Sequence, residues 1–185
     1  NVTLPLTRMI NGAADYTICY FDKRLKTTHA HQLAASLVFY SPLQTIFWYD
    51  KPSFYHGEPE MEWFENLQTV FDDTKVLDGA PGKNITMARR KGQEWFVAAM
   101  TNNEGSEEEI PLTFLDKEKN YLACIYTDGG EKIKTSTQVK CTYLLVNASQ
   151  TMKFQLKPSG GAAIRLVPID RQKMKKYKKY KGERL

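Results

Sequence analysis

The chain has 185 residues, of which 42% are hydrophobic and 25% are charged. This composition is typical of a folded globular protein with one or two domains, and no apolar run approaches the roughly 18 residues that span a bilayer. The net charge of +5 comes from residues 171–185, which hold eight Lys/Arg and one Glu, so the body of the protein has no charge excess that favours nucleic-acid binding. Because the chain opens with Asn1 and without a signal peptide, we expect it to begin at a cut or a processing site.

Local patterns divide the chain into three parts. Residues 1–72 are mixed and partly helical, residues 73–168 carry consecutive short strands, and residues 169–185 form a basic tail. The boundary near residue 72 lies in a segment rich in Asp, Gly and Pro, which is typical of a connection between two structural units.

The first part predicts one strand and two helices. Val2–Leu6 is a short apolar run that predicts a buried strand. Thr27 or Thr28 is a suitable N-cap for a helix over His29–Tyr40, and a second helix is predicted after Pro59. One strand and two helices cannot close a domain, so this part indicates the end of a larger α/β fold.

The second part predicts about seven short strands, separated by turn signals at intervals of roughly 8–12 residues. Their expected ranges are 84–90, 95–101, 110–115, 121–127, 139–146, 152–156 and 162–167. This spacing is typical of an antiparallel β-sandwich. Between the strands, the acidic run Glu107–Glu109 lacks the pattern of a calcium-binding loop and predicts a solvated hairpin tip.

Two cysteines of the predicted sandwich leave two alternatives open. Cys124 and Cys141 would face each other if strands 121–127 and 139–146 paired with these residues directly opposite, which could permit a disulfide. Two buried free thiols are the alternative that we favour.

The basic tail alternates cations with tyrosines. Such a run can bind phosphate backbones or anionic lipid by releasing counterions, but it is also typical of a solvated terminus. We favour the solvated terminus, and we expect neither a nucleic-acid nor a membrane partner.

Several segments resemble glycoside hydrolase family 97, and they occur in the order expected for that family. Those similar to the end of its catalytic barrel are Thr3-Leu4-Pro5-Leu6-Thr7-Arg8, Asp15-Tyr16-Thr17, His29-Ala30-His31-Gln32-Leu33-Ala34 and Ser41-Pro42-Leu43-Gln44. Those similar to its C-terminal sandwich are Asp73-Thr74-Lys75-Val76-Leu77-Asp78-Gly79, Ala88-Arg89-Arg90-Lys91-Gly92, Trp95-Phe96, Ile125-Tyr126-Thr127-Asp128-Gly129 and Gly160-Gly161-Ala162.

The resemblance implies an α+β fragment, in which the terminal elements of a (β/α)8 barrel precede an antiparallel β-sandwich. It implies the C-terminal portion of a calcium-dependent α-galactosidase or α-glucosidase, located in the periplasm or secreted, with oligo- or polysaccharide substrates. Such an enzyme needs two carboxyl groups astride the glycosidic bond. In the family pattern these acids precede the segment that matches Val2–Arg8, so we expect neither catalytic residues nor calcium ligands in this chain. The fragment itself would serve packing and assembly, including homo-oligomer formation through the sandwich.

Asp15 and Tyr16 are the residues expected nearest to the substrate, because they lie on a loop after the first apolar run. The alternative, which we favour for Asp15, is a helix cap or a turn former. The family usually has Gly-Pro-Met before this Asp-Tyr-Thr and a Pro after it, whereas this chain reads Gly12-Ala13-Ala14 before it and Ile18 after it. This departure leaves substrate specificity open.

Two further groups of residues each have two interpretations. The aromatic residues after the first predicted helix could form a sugar subsite, although packing between barrel and sandwich is favoured; they are Trp48, Tyr49, Phe54 and Tyr55. His29 and His31 lie two residues apart on a predicted helix, so they point to different faces and cannot share one metal ion. A stand-alone carbohydrate-binding β-sandwich is the alternative to the glycosidase function.

Overall fold

The computed structural model describes residues 1–185, and its first regular unit consists of two short parallel strands and two helices. In chain order these are β1 (Tyr16–Thr17), α1 (His29–Val38), β2 (Gln44–Thr45) and α2 (Met61–Asn66). Parallel strands need a crossover connection, and here α1 supplies it. No helix of the chain combines the length and the apolar character needed to cross a membrane.

The predicted strand over Val2–Leu6 is wrong. Leu4–Leu6 forms a turn of 3-10 helix, and a second such turn follows at Arg8–Asn11. Pro5 lies inside the first turn, where its fixed φ is tolerated and its missing N–H costs no ladder hydrogen bond. Val2, at the start of this segment, is nevertheless buried, as expected for an apolar side chain.

Helix α1 forms close to its predicted range and begins at the predicted cap. The Thr28 hydroxyl oxygen accepts a hydrogen bond from the backbone N–H of His31 at 3.1 Å. The helix ends at Val38, two residues before the predicted end, and Phe39 takes an extended conformation after it. The second predicted helix is confirmed as α2.

The rest of the chain forms nine strands and one short helix. In chain order these are β3 (Asp73–Ala80), β4 (Asn84–Lys91), β5 (Glu94–Thr101), β6 (Ser106–Pro111), β7 (Asn120–Asp128), β8 (Val139–Asn147), β9 (Thr151–Leu156), β10 (Gly161–Pro168), α3 (Arg171–Met174) and β11 (Lys178–Lys179).

These strands form two sheets that face each other. A seven-stranded sheet has the order β11-β8-β7-β10-β5-β4-β3, and β6 pairs with β9 in a two-stranded sheet. All pairs except β11 with β8 are antiparallel, so the predicted antiparallel sandwich is confirmed. The β4–β5 hairpin also forms as predicted, and Gly92 takes the positive φ of 57° that its tight turn requires.

Two strands differ from the sequence predictions. The segment interpreted as a boundary is the edge strand β3, whose mostly exposed side chains lack the apolar alternation of a strand. Strand β6 begins at Ser106, so the run Glu107–Glu109 lies within a strand and the predicted solvated tip is wrong. Its alternation places Glu108 inside, where the carboxylate accepts hydrogen bonds from Asn84, Thr86 and Ser106.

The basic tail is part of the fold, so the prediction of a solvated terminus is wrong. Strand β11 extends the seven-stranded sheet next to β8, and Tyr180 is buried. Further along, Arg184 forms a parallel bridge with Lys153 on β9, and the backbone N–H of Leu185 donates to the Lys153 carbonyl at 2.9 Å. Tail residues therefore contact both sheets.

The two cysteines do not face each other. In the β7–β8 pair, Cys124 lies opposite Tyr143 and Cys141 lies opposite Tyr126, and both thiols are free. The register is shifted by two residues from the one that the disulfide required, because the connection over residues 129–138 determines it and includes a turn of 3-10 helix. The favoured alternative of two free thiols is confirmed, although Cys124 is buried and Cys141 is only half-buried.

The central strands β5, β7 and β10 of the seven-stranded sheet are buried on both faces. One face packs against residues 1–72 and the other against the β6–β9 sheet, which gives two hydrophobic clusters of similar size. Burial on both faces explains why β5 reads as a continuous apolar run rather than an alternating one. Helix α1 crosses β5 and β10 closely: a Cβ on Gly161 would come within 2.8 Å of the Cα of His31.

Candidate functional site

The carboxyl ends of β1 and β2 meet at one edge, and the chain segments that leave them form a groove. Because the strands are parallel, residues after Thr17 and after Thr45 emerge side by side. The backbone N–H of Phe21 donates to Asp50 Oδ2 at 3.3 Å and joins the two segments. We call this region the carboxyl-edge groove.

An aromatic cluster forms the floor of the carboxyl-edge groove. Tyr20 is fully buried, and its ring makes edge-to-face contacts with several neighbours at centroid distances of 5.1–6.1 Å. These neighbours are Phe21, His29, Phe47 and Phe64. The rings shape the floor of the groove but offer a ligand few polar atoms.

The open part of the groove has a volume of about 400 Å³ and is mainly apolar. Its lining includes Phe47, Tyr55 and Met61, together with the carboxylates of Asp50 and Glu65. Asp50 is already engaged by the Phe21 N–H, and Glu65 is exposed. The groove can hold an apolar or sugar-like surface, but its polar groups are few.

Two carboxylates lie buried beneath this region, on the segment that leads into α2. Glu58 accepts from the backbone N–H of His56 at 2.7 Å, and Glu60 Oε1 accepts from the Tyr20 hydroxyl at 3.2 Å. Glu60 Oε2 has no hydrogen-bond partner, and burial raises the pKa of this carboxyl above its usual range. Glu60 is fully buried and Glu58 is 2% exposed, so neither can reach a substrate.

The residues predicted nearest to the substrate lie away from this groove. Asp15 precedes β1 and is exposed, whereas Tyr16 is buried and donates to the backbone carbonyl of Gln32 at 3.2 Å. Both lie at the amino end of β1, and the carboxyl-edge groove lies at its other end. Their proximity to substrate stays a prediction.

The four aromatic residues singled out after the first helix are exposed in this chain. The exposed fractions are 56% for Trp48, 73% for Tyr49, 41% for Phe54 and 51% for Tyr55. They therefore do not pack between residues 1–72 and the sandwich, and that interpretation is wrong. The packing is made instead by Trp63, whose ring contacts Phe96 on the sheet. Trp63 gave no periodic signal in the sequence.

Exposed apolar side chains are concentrated in the first part of the chain. All the large ones lie within residues 1–72, except Val76 and Tyr143. They lie at the carboxyl-edge groove and at a second surface near Tyr40 and Val70. Clustered exposed apolar surface typically marks a contact with another structural unit.

No group of three or more His, Cys, Asp or Glu side chains is arranged to hold a metal ion. His29 and His31 point to different surroundings: the His29 ring contacts Tyr20, and the His31 ring bonds to the carbonyl of Gly160 at 3.0 Å. The two histidines therefore do not share one metal ion, and no chemistry is assigned to a metal here.

Comparisons with known proteins add a family assignment to this geometry. Residues 70–167 match the family described as "Glycosyl-hydrolase 97 C-terminal, oligomerisation". The chain is 32% identical over 180 residues to a retaining alpha-galactosidase of Bacteroides thetaiotaomicron, covering 90% of this chain and 27% of that protein. It is 26% identical over 165 residues to a probable retaining alpha-galactosidase of Streptomyces bingchenggensis, covering 87% and 24%.

A solved structure has the same fold. A glycoside hydrolase family 97 enzyme from Pseudoalteromonas sp. strain K8, in complex with acarbose, matches with a TM-score of 0.80 and 31% identity. The match covers 91% of this chain and 28% of that one. The chain thus spans about a quarter of the length of the curated relatives it matches.

Proposed function

Because the chain belongs to glycoside hydrolase family 97 and matches the C-terminal region of that family, we propose that it is the carboxyl-terminal part of an α-glycosidase. In this proposal residues 1 to about 72 are the last elements of a (β/α)8 catalytic barrel, residues 73–168 are the appended sandwich, and residues 169–185 complete that sandwich. The names of the curated relatives favour α-galactosides as substrates, with α-glucosides as the second choice.

The parallel unit β1-α1-β2-α2 is the observation that carries the proposal. It has the strand, helix, strand, helix order of a (β/α)8 barrel, and two parallel strands cannot close a barrel alone. The apolar side chains left exposed beside it include Leu43 at 78% and Tyr49 at 73%. The missing strands and helices of a barrel would cover such a flank.

The chain supplies a platform rather than the reactive groups. Retaining glycosidases hold two carboxyl groups about 5–5.5 Å apart on either side of the scissile bond. The carboxyl-edge groove offers only Asp50, which accepts from the Phe21 N–H, and Glu65, and Glu58 and Glu60 are buried. We propose that the two reactive acids and the ligands of a calcium ion come from the remainder of the barrel. A periplasmic or secreted location is part of the same proposal.

Assembly is the proposed role of the sandwich. The family description includes oligomerisation, which supports a homo-oligomer formed through residues 73–168. Sedimentation of the protein that includes the complete barrel tests this role: a monomer at all concentrations would contradict it.

A stand-alone carbohydrate-binding module has less support. Modules of that kind present aromatic rings on an open sheet face, but Trp95, Tyr121 and Phe154 are at most 5% exposed. Affinity electrophoresis in starch and in galactomannan separates the two functions, because a binding module would be retarded in one of these gels.

Turnover of nitrophenyl α-galactoside and nitrophenyl α-glucoside tests the main proposal. We expect no turnover by the 185-residue chain, and turnover by a longer protein that includes the complete barrel. Chelation of calcium should remove that turnover, and added calcium should restore it. Turnover by the 185-residue chain alone would contradict the proposed position of the reactive acids.

A further inference from the structure

Arg89 is a buried cation without an anionic partner. It lies on β4, is 5% exposed, and takes part in none of the ion pairs of the chain. Its Nη2 donates to the carbonyl of Val38 at 3.3 Å, whereas its Nε is buried and has no partner. Its neighbour Arg90, by contrast, is partly exposed and lies 3.9 Å from a carboxylate oxygen of Asp72.

The contacts of Arg89 explain its position but leave its charge uncompensated. The Val38 carbonyl lies at the carboxyl end of α1, where a cation is favourable. The rings of Tyr40 and Phe71 lie 5.7 and 5.5 Å from the guanidinium carbon, which adds cation–π attraction. Burial lowers the pKa of Arg89 to about 10, so the side chain is still charged at neutral pH. A buried guanidinium usually pairs with a carboxylate or a phosphate.

Arg89 borders a cavity of about 440 Å³ that contains no acidic side chain in its lining. Val38, Pro42 and Phe71 contribute to the walls. At the rim, Tyr40 is 45% exposed and Val70 is 63% exposed. The cavity therefore combines one unpaired cation inside with apolar surface around its mouth.

We propose that this cavity receives the carboxylate of an Asp or Glu side chain, presented by a polypeptide segment in the remainder of the catalytic barrel, and that this carboxylate pairs with Arg89. The anionic class follows from charge complementarity, since the guanidinium has free N–H donors and no anion. A polypeptide source follows from the rim, because a small free anion would leave Tyr40 and Val70 exposed. The source of the carboxylate rests on the proposed function.

Arginine side-chain NMR on the 185-residue chain tests whether the cavity binds a carboxylate. The probe is sodium acetate, with sodium chloride at equal ionic strength and neutral acetamide as controls. We expect a saturable change in the Arg89 Nε–H chemical shift with acetate only, and a smaller, non-saturable change for Arg90. The variant Arg89→Lys assigns the resonance and should remove the response. No saturable change with acetate in any arginine side-chain resonance would overturn the carboxylate site, and this result needs no variant.

The same titration on the longer protein identifies the source of the carboxylate. If a barrel segment fills the cavity, the Arg89 signal should already differ from that of the 185-residue chain and should not respond to acetate. A saturable response in both proteins would overturn the polypeptide source and indicate a free anion. Turnover of nitrophenyl glycosides is measured separately, so failure of the glycosidase proposal is distinguishable from failure of the Arg89 proposal.

Discussion

The indole Nε1 of Trp63 donates a hydrogen bond to the hydroxyl oxygen of Ser36 at 3.0 Å and so joins α2 to α1. The same indole makes edge contacts with Phe96 and Tyr126 on the seven-stranded sheet, at centroid distances of 5.8 and 6.0 Å. One side chain therefore links both helices of residues 1–72 to the sandwich.

Replacing this indole should destabilise the whole protein. Trp63→Ala removes a fully buried side chain, and we expect the free energy of unfolding to fall by about 3–5 kcal/mol in urea titrations. Trp48→Ala is the matched control, because Trp48 is 56% exposed, and a change within about 0.5 kcal/mol is expected there. Equal losses in the two variants would contradict the linking role of Trp63.

Loss of the N-cap of α1 should lower the stability of the protein by a smaller amount. Thr28→Ala removes the hydroxyl that accepts from the His31 N–H, and the expected loss in free energy of unfolding is about 1 kcal/mol. Thr28→Ser keeps the accepting oxygen and should retain most of the stability. A serine variant as unstable as the alanine variant would show that the methyl group matters rather than the cap.

His31 predicts a loss of stability on acidification. The Gly160 carbonyl can only accept, so Nδ1 donates to it, and Nε2 accepts from the Asn1 side-chain amide at 3.1 Å. Burial lowers the pKa of His31 from 6.5 to about 4. The unfolded chain therefore binds a proton over this range while the folded protein does not, so stability falls as pH falls from 6.5 towards 4. The expected contribution is about 3 kcal/mol.

Unfolding in urea at several pH values measures this contribution. His31→Asn removes the titrating group and should weaken the dependence of stability on pH between 6.5 and 4. His56→Asn is the control, because His56 is exposed, and it should leave the dependence as it is. An unchanged pH dependence in His31→Asn would exclude His31 as its source.

The tail predicts a stability effect that a solvated terminus would not produce. Tyr180 is 3% exposed, its hydroxyl accepts from the backbone N–H of Lys153 at 3.0 Å, and it donates to the Glu183 carbonyl at 2.8 Å. Tyr180→Ala should lower the free energy of unfolding by about 3 kcal/mol or more, as for other large buried side chains. Tyr177→Ala, in the less buried part of the tail, should cost far less.

The free thiols lead to two predictions, one for the intact mass of the protein and one for its reaction with a thiol reagent. The intact mass should be the same before and after reduction, because all three cysteines are free. Burial raises the pKa of Cys124 and of Cys141 to about 12, so both should react slowly with a thiol reagent at neutral pH. Unfolding should make all three react at once. A mass increase on reduction would contradict the observed register.

Elements with strong local signals could be predicted from the sequence, and elements defined by distant partners could not. The β4–β5 hairpin and α1 have turn, cap and periodicity signals within their own residues. Strand β3 is polar and pairs on one side only, so no pattern within its own residues indicates that it pairs with β4. The tail reads as a charged terminus, because its burial is confined to Tyr180 and depends on contacts with β8 and β9.

The same limit applies to the candidate site. Aromatic residues after the first helix were visible as a group, but their exposure depends on which face the sandwich covers. The burial of Glu60 and Arg89 was hidden, because charged side chains are ordinarily exposed and only the packed structure encloses these two. Arg89 follows Ile85 and Met87 on one face of β4, and a charged residue that continues an apolar alternation is the one local signal that could have indicated its burial.

The close approach at Gly161 constrains how this protein can be recombined with its relatives. A side chain there would meet the backbone of α1 on one side and the carbonyl of Ala99 on the other, at 2.8–3.1 Å. Chimeras that exchange the sandwich between homologous enzymes should therefore carry α1 with it. A crossover placed between the helix and the sheet would pair two surfaces that were never selected to fit at this distance.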